Sequence, residues 1–188
     1  MPGGRRGYLS LAAGVPVGAR AEIEEKRCEN PMNRSNPLNP DHVLIHAFLA
    51  GDRTPRPFDV NPLACSLRMR LLSADAQQGT VTLGFEPGAQ FQQGNGLVQG
   101  GIVASMLDFA LAFAVLTRLE LGHTHATASF SVNLLRPVRA ESYLAHGRIQ
   151  RMGGRLAFAE ASLAYEATAV VAATATGVMA LLQPQGGG

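Results

Sequence analysis

Cysteine is nearly absent: Cys28 and Cys65 are the only two in 188 residues. They form no metal-ligand or disulfide pattern, and so sparse a set fits a reducing cytoplasm. Charge is also scarce, at 16% of residues with a formal net charge of +2. No Lys- or Arg-rich run with interleaved aromatics occurs, so no nucleic-acid partner is expected. So few charges over an ordinary 46% apolar fraction imply that much surface is covered, as between subunits. No apolar run reaches the roughly 20 residues a bilayer needs. The longest, Ile102 to Leu116, contains Asp108, so neither a transmembrane segment nor a membrane partner is expected. Arg5-Arg6 and the stretch from Tyr8 to Val17 hint at a secretion signal, but Gly14, Pro16 and Gly18 break its apolar region.

What is present suggests one domain, by length alone. Residues 1–36 mix Gly, Pro, Arg and Glu without a sustained period and read as a poorly ordered arm with no assigned function. The domain is expected over residues 37–184. Asn39-Pro40-Asp41 predicts a helix start, with a capping Asn, Pro at the first helical position and an acid in the first turn. That helix runs to about Ala50 and stops at Gly51, with Val43, Leu44, Phe48 and Leu49 as its apolar face. His42 and His46 sit four apart on it, a spacing that could hold a metal. No third ligand accompanies them, so a packed or solvated pair is expected. Residues 52–63, with three prolines, read as a loop.

Leu67, Met69 and Leu71, then Val81, Leu83 and Phe85, alternate with polar residues as half-buried strands do, and Gln77-Gln78-Gly79 makes the turn between them. A glycine-studded loop from Gln93 to Gly101 then opens into the apolar run to Leu116, with Gly122 as the expected helix end. Four strand-like segments follow, at about 125–135, 140–152, 155–166 and 168–182, with Gly153-Gly154 as a hairpin turn. In the first, Ala128, Phe130, Val132 and Leu134 form one face, and Thr127, Ser129, Ser131 and Asn133 the other. Hairpin-length connections predict an antiparallel sheet. A helix apolar nearly all round needs that sheet curled about it. The expected class is α+β, with about six antiparallel strands around a long central helix.

Within the central run Asp108 stands out, because burying an unpaired carboxylate costs several kcal/mol. Gly96-Leu97-Val98-Gln99-Gly100-Gly101-Ile102-Val103-Ala104, Asp108 beyond it, Thr127, Asn133-Leu134-Leu135-Arg136-Pro137 and Gly153-Gly154-Arg155 together resemble the hotdog-fold acyl-CoA thioesterases of the phenylacetate-pathway and 4-hydroxybenzoyl-CoA type. The resemblance covers roughly residues 40–182. The family usually has His-Gly-Gly where this chain has Gln99-Gly100-Gly101.

That resemblance implies a thioester hydrolase that turns an acyl-CoA into a carboxylic acid and free CoA, without cofactor or metal. A helix N-terminus favours developing negative charge through its free N–H groups and dipole, and glycines let a carbonyl approach closely. By resemblance Gly100 N–H is the oxyanion donor, Asp108 the nucleophile or general base, Gln93 a contact to the thioester and Thr127 the hydroxyl that positions water. Gln99 and Gly101 flank the donor. Arg136, Arg139, Arg151 and Arg155 are candidates for the coenzyme phosphates, with Arg155 favoured. Each has a plainer reading: tight helix entry for the glycines, a structural Asp, and ordinary loop, strand and solvated residues for the rest. Phe109, Leu111 and Phe113 are candidates for the pocket floor. The family forms homodimers with sheets joined edge to edge, often paired into homotetramers, and its donor and acid come from different subunits. The long final strands agree, since an uncovered edge would aggregate.

Two other readings stand beside it. A non-catalytic acyl-CoA-binding regulator would normally append a DNA-binding element, and residues 1–36 show no helix-turn-helix pattern. A hotdog hydratase or dehydratase needs a histidine paired with an acid around the active helix. Here the motif position holds Gln99, and residues 87–122 contain no histidine. His123 and His125, at the next strand's entry, read as surface or interface residues.

Overall fold

A computed structural model describes residues 38–51 and 53–183. The expected arm, residues 1–36, and Cys28 within it lie outside the described residues. In chain order the elements are α1 (Pro40–Ala50), β1 (Arg56–Pro57), α2 (Pro62–Ser66), β2 (Arg70–Asp75), β3 (Thr80–Phe85), a 3-10 turn (Ala89–Phe91), α3 (Gly100–Leu116), β4 (Thr124–Leu134), β5 (Tyr143–Met152), β6 (Leu156–Tyr165) and β7 (Val171–Leu182).

The start of α1 is as the sequence implies: Asn39 Oδ1 accepts from Asp41 N at 3.0 Å, and Pro40 occupies the first turn. Its buried stripe differs, however, being His42, Ile45 and Phe48, while Val43 is exposed. The cause is polar. His42 Nε2 lies 3.0 Å from Leu119 O and its Nδ1 3.1 Å from His123 O, and His46 Nε2 lies 2.8 Å from Leu119 O. The two histidines thus turn inward to meet carbonyls beyond the end of α3.

The 52–63 stretch holds more than a loop. Pro57 is tolerated because β1 is an edge strand, and Pro62 opens α2 behind an Asn61 cap that accepts from Leu63 N and Ala64 N. Leu67 closes α2, so β2 begins at Arg70, later than the alternation suggests; Leu67, Met69 and Leu71 are nevertheless all buried. Asp75 Oδ1 accepts from Gln77 N and Gln78 N, and Gly79 takes φ +64°, making the β2–β3 turn.

All seven strands form one antiparallel sheet in the order β1-β2-β3-β5-β6-β7-β4. α3 carries the chain from β3 across to the far edge, so β4 pairs with β7 and not with β5. The expected hairpin between β4 and β5 does not exist; β5 returns to pair with β3. The sheet curls round α3, nine of whose residues from Val103 to Leu116 are buried. It approaches closely because β5 has Gly147 there: a Cβ at that position would sit 2.0 Å from Ala110 O. α3 ends at Leu116, before Gly122, because Thr117 turns its hydroxyl back onto Ala114 O at 2.7 Å and Arg118 reaches out to Ala76 O. Gly122, at φ +94°, serves the turn into β4 instead.

β4 departs from simple alternation at one point. Thr127 pairs with Met179 and Ser129 with Val178, leaving Ala128 as the extra residue of a bulge. Directly opposite residues share a sheet face. Thr127, Phe130, Val132 and Leu134 lie opposite Met179, Gly177, Ala175 and Ala173, of which Met179, Ala175 and Ala173 belong to the buried core. The bulge therefore puts Thr127 on the helix-facing side with the apolar residues, while Ser129, Ser131 and Asn133 face outward. The polar face expected for Thr127 is thereby corrected.

Candidate active site

The loop before α3 is built by its own backbone. Gln93 N donates to Leu97 O, Gly96 N to Gln93 O, and Asn95 Oδ1 accepts from Leu97 N. Gly96 takes φ +77°, a conformation that favours glycine. Gln99 N donates to Phe91 O and Val98 N to Val138 O, fixing the entry to the helix. Gln99 is the N-cap residue, but its side chain makes no capping bond, and it is exposed. Gly100 and Gly101 are the first two helical residues, so their N–H groups have no partner within the helix. A Cβ at Gly101 would meet nothing within 4 Å, and one at Gly100 only the end of Leu134, at 3.1 Å. Gly101 thus borders open space, whereas Gly100 packs beneath Leu134. Gln93 is exposed on the same loop.

Asp108 lies half-buried about two turns into α3, and its Oδ1 accepts a 2.9 Å hydrogen bond from Thr127 Oγ1. Among the described residues it joins no salt bridge; those present are Arg70 with Glu86 and Glu166, and Arg148 with Glu160. The carboxylate is thus oriented without being held by a cation. The structure brings Thr127 and Asp108 together, as a shared role requires. It does not bring Gly100 to Asp108: at about 1.5 Å per residue the two lie about 12 Å apart along one helix. One thioester carbonyl cannot touch both within a single chain.

Beside the start of α3, a cavity of about 300 Å³ is lined by Val103, Leu134, Leu135, Arg136, Pro137 and Val138. Arg136, bonded to Val171 O, thus shares this cavity with Val103 of the first turn of α3. Arg155 does not: it lies at the other end of β4's neighbourhood, its carbonyl accepting from Leu181 N, where Leu182 pairs with Thr124. A larger cavity, of about 440 Å³, lies on the outward face of the sheet around Thr82, His146, Arg148 and Glu160, and none of the residues named above for catalysis lines it. Of the expected pocket-floor residues, Leu111 packs against the sheet at Gly177. Phe109 and Phe113 stack edge-on at 5.7 Å and continue to Phe85 and Phe58.

His125, expected at the surface or in an interface, is half-buried. It lies two residues before Thr127, ahead of the bulge, and so on the same, helix-facing side. Burial pushes its imidazole below the usual histidine range, while the charge of Asp108 and the Ala112 carbonyl act in the opposite sense. Its Nδ1 is buried without a hydrogen-bond partner. Two-residue spacing from Thr127 was the available signal; the bulge that gives it meaning was not visible.

The fold and this loop–helix geometry define a class. A thioesterase superfamily model matches residues 95–172, and the resemblance to hotdog thioesterases read from the motif holds. A Ralstonia eutropha protein assigned as a thioesterase and related to phenylacetic acid degradation is 25% identical, with a TM-score of 0.63 over 72% of this chain and 98% of its own. PaaI of the Escherichia coli phenylacetic acid degradation operon is 18% identical, with a TM-score of 0.61 over 77% and 95%. A Streptococcus mutans protein bound to acetyl CoA is 18% identical, with a TM-score of 0.55 over 62% and 90%. At such identities the last two show the hotdog fold alone. No curated protein matches the chain.

Proposed function

We propose that this chain is an acyl-CoA thioesterase working as a homodimer. The observation that carries the reading is Asp108, a carboxylate set in an apolar helix, oriented by Thr127 and engaged by no cation among the described residues. Asp108 either takes a proton from water as it attacks the thioester carbonyl carbon, or attacks that carbon itself. The oxyanion forms against the Gly100 N–H at the start of α3, where the dipole and the free amides favour it. The C–S bond then breaks. In the first case Asp108 returns the proton to coenzyme A, which leaves as thiol. In the second the thiolate takes a proton from water, whose hydroxide cleaves the acyl-Asp108 anhydride to release the acid. Gln93 contacts the thioester, Gln99 and Gly101 border the donor, and basic residues meet the phosphates; Arg136, at the cavity beside the start of α3, is better placed for this than Arg155.

The axial gap between Gly100 and Asp108 supports a site shared across two chains. β4 supplies the surface: it ends the sheet, and Phe130, Leu134 and Leu135 are 40%, 55% and 55% exposed. Edge pairing of two copies along β4 covers them and brings the α3 start of one chain toward Asp108 of the other. Exposed Leu156 and Phe158 offer a further contact for a homotetramer.

A panel of short, medium, long and aromatic acyl-CoAs tests the reading, with released thiol followed. No release from any of them removes it. A hydratase is the second reading, favoured by His125, which reaches the Asp108 region from β4 although residues 87–122 contain no histidine. Loss of enoyl-CoA absorbance without thiol release selects it.

A further inference from the structure

The loop that leads to Gly100 is tied to the rest of the molecule at one point. Among the described residues, the hydrogen bonds of residues 91–99 stay within residues 88–103 except one, from Val98 N to Val138 O at 2.8 Å. Gly100 follows two residues later. Neither Gly100 nor Gly101 has a side chain to hold it, and Gln99 makes no capping bond. The place of the Gly100 amide is therefore set by the helix behind it and the Val98 anchor ahead of it.

Val138 is itself bracketed by two phenols. On one side the Tyr165 hydroxyl donates to Pro137 O; on the other, Arg139 N donates to the Tyr143 hydroxyl at 2.9 Å. The tyrosines lie directly opposite each other, at the first position of β5 and the last of β6, with ring centroids 5.1 Å apart. Opposite residues share a sheet face, so the sheet presents both hydroxyls to the 137–139 segment. The turn out of β4 does not depend on them, because Leu135 N and Arg136 N already bond to Ala172 O at 2.9 and 3.0 Å. Packing does not depend on them either, since phenylalanine fills the same space.

We infer that Tyr143 and Tyr165 are positioning residues for the oxyanion donor: by holding Arg139 and Pro137 they fix the Val138 carbonyl, hence Val98 and the Gly100 amide. This rests on the thioesterase reading. An oxyanion donor must lie about 2.7–3.1 Å from the charge that develops, and a misplacement of about 1 Å can cost about a hundredfold in rate. A loosening that hardly weakens the fold is therefore felt in turnover.

Tyr165→Phe and Tyr143→Phe each remove one oxygen and keep the ring. Each should lower kcat for thiol release about tenfold, less than the roughly 10²–10³-fold of losing a donor outright. KM should stay unchanged, because the interaction being loosened is made only in the transition state. A wild-type kcat, or a raised KM at unchanged kcat, overturns the proposal. Amide hydrogen exchange supplies a second arm that needs no turnover. In either variant the Val98 N–H should exchange about tenfold faster while that of Leu107, in the middle of α3, keeps its wild-type rate, as a local opening requires. Wild-type exchange at Val98 cuts the link, and equal acceleration at both amides makes the hydroxyls supports of the whole fold; either overturns the proposal. If wild type releases no thiol at all, the thioesterase reading fails, and exchange alone decides whether the tyrosines hold Val98.

Discussion

Asp108 is the residue whose loss has the largest expected effect. Asp108→Asn keeps the shape and the Thr127 contact but removes the base or nucleophile; thiol release should fall by about a hundredfold or more. Wild-type rates in this variant would remove Asp108 from the chemistry. Thr127→Val deletes one hydrogen bond at nearly constant volume, so kcat should drop about tenfold, in line with loss of a bond to a charged group worth about 1.5–3 kcal/mol. KM should change little. Protonation of buried histidines sets a stability window. His42 is pushed below the usual range by burial, with the Leu119 carbonyl opposing and His46 assisting; His125 is lowered by burial too. A lowered histidine means the unfolded chain binds the proton more readily. Stability is therefore full above about pH 6.5 and declines as pH falls below it. Asp41, raised by burial against its bond to Asn61, acts in the opposite sense but in the carboxylate range. Thermal unfolding across pH 5–8 should show the decline, and its absence in His42→Gln would identify the ring responsible.

Among elements, the α3–β5 contact tolerates least. Gly147→Ala places a methyl 2.0 Å from the Ala110 carbonyl, which is backbone and cannot swing aside. Overpacking of this kind costs about 1–3 kcal/mol, and immovable neighbours put this site at the upper end; chemical denaturation should show a loss of about 3 kcal/mol, and a neutral result would mean the sheet is looser than it looks. Much of this layer was legible in the sequence. The Asn39-Pro40 cap, the 2-periodic runs and the apolar α3 are local patterns, each set by chemistry a few residues wide. What escaped depended on distant partners. The buried stripe of α1 runs through His42 because carbonyls beyond α3 await it. β4 sits at the far edge because α3 crosses the sheet, and the Ala128 bulge is defined only against β7. The face expected for Thr127 was wrong for that one reason. His125, expected at the surface or in an interface, shares the helix-facing side with Thr127.

At the scale of the whole molecule, the motif's two ends lie along one helix but cannot serve one carbonyl in one chain. The free β4 edge with its exposed Phe130 and Leu134 gives a second copy a place to pair. Phe130→Lys should yield a folded monomer, by light scattering and unchanged circular dichroism, with little thiol release. Full activity in that monomer would place the site within one chain. Mixing two inactive variants asks the question most directly. Gly100→Pro removes the donor N–H and adds a ring whose Cβ meets only the end of Leu134: proline suits the first helical position, and the extended Gln99, at φ −54° and ψ 135°, accepts a following proline. Paired with Asp108→Asn, it leaves one intact donor–acid set in each mixed dimer. Unfolding and refolding the two together in equal amounts should restore about a quarter of the wild-type thiol release, as random pairing into two-fold dimers requires. A mixture as inactive as either variant alone would contradict a site shared between subunits.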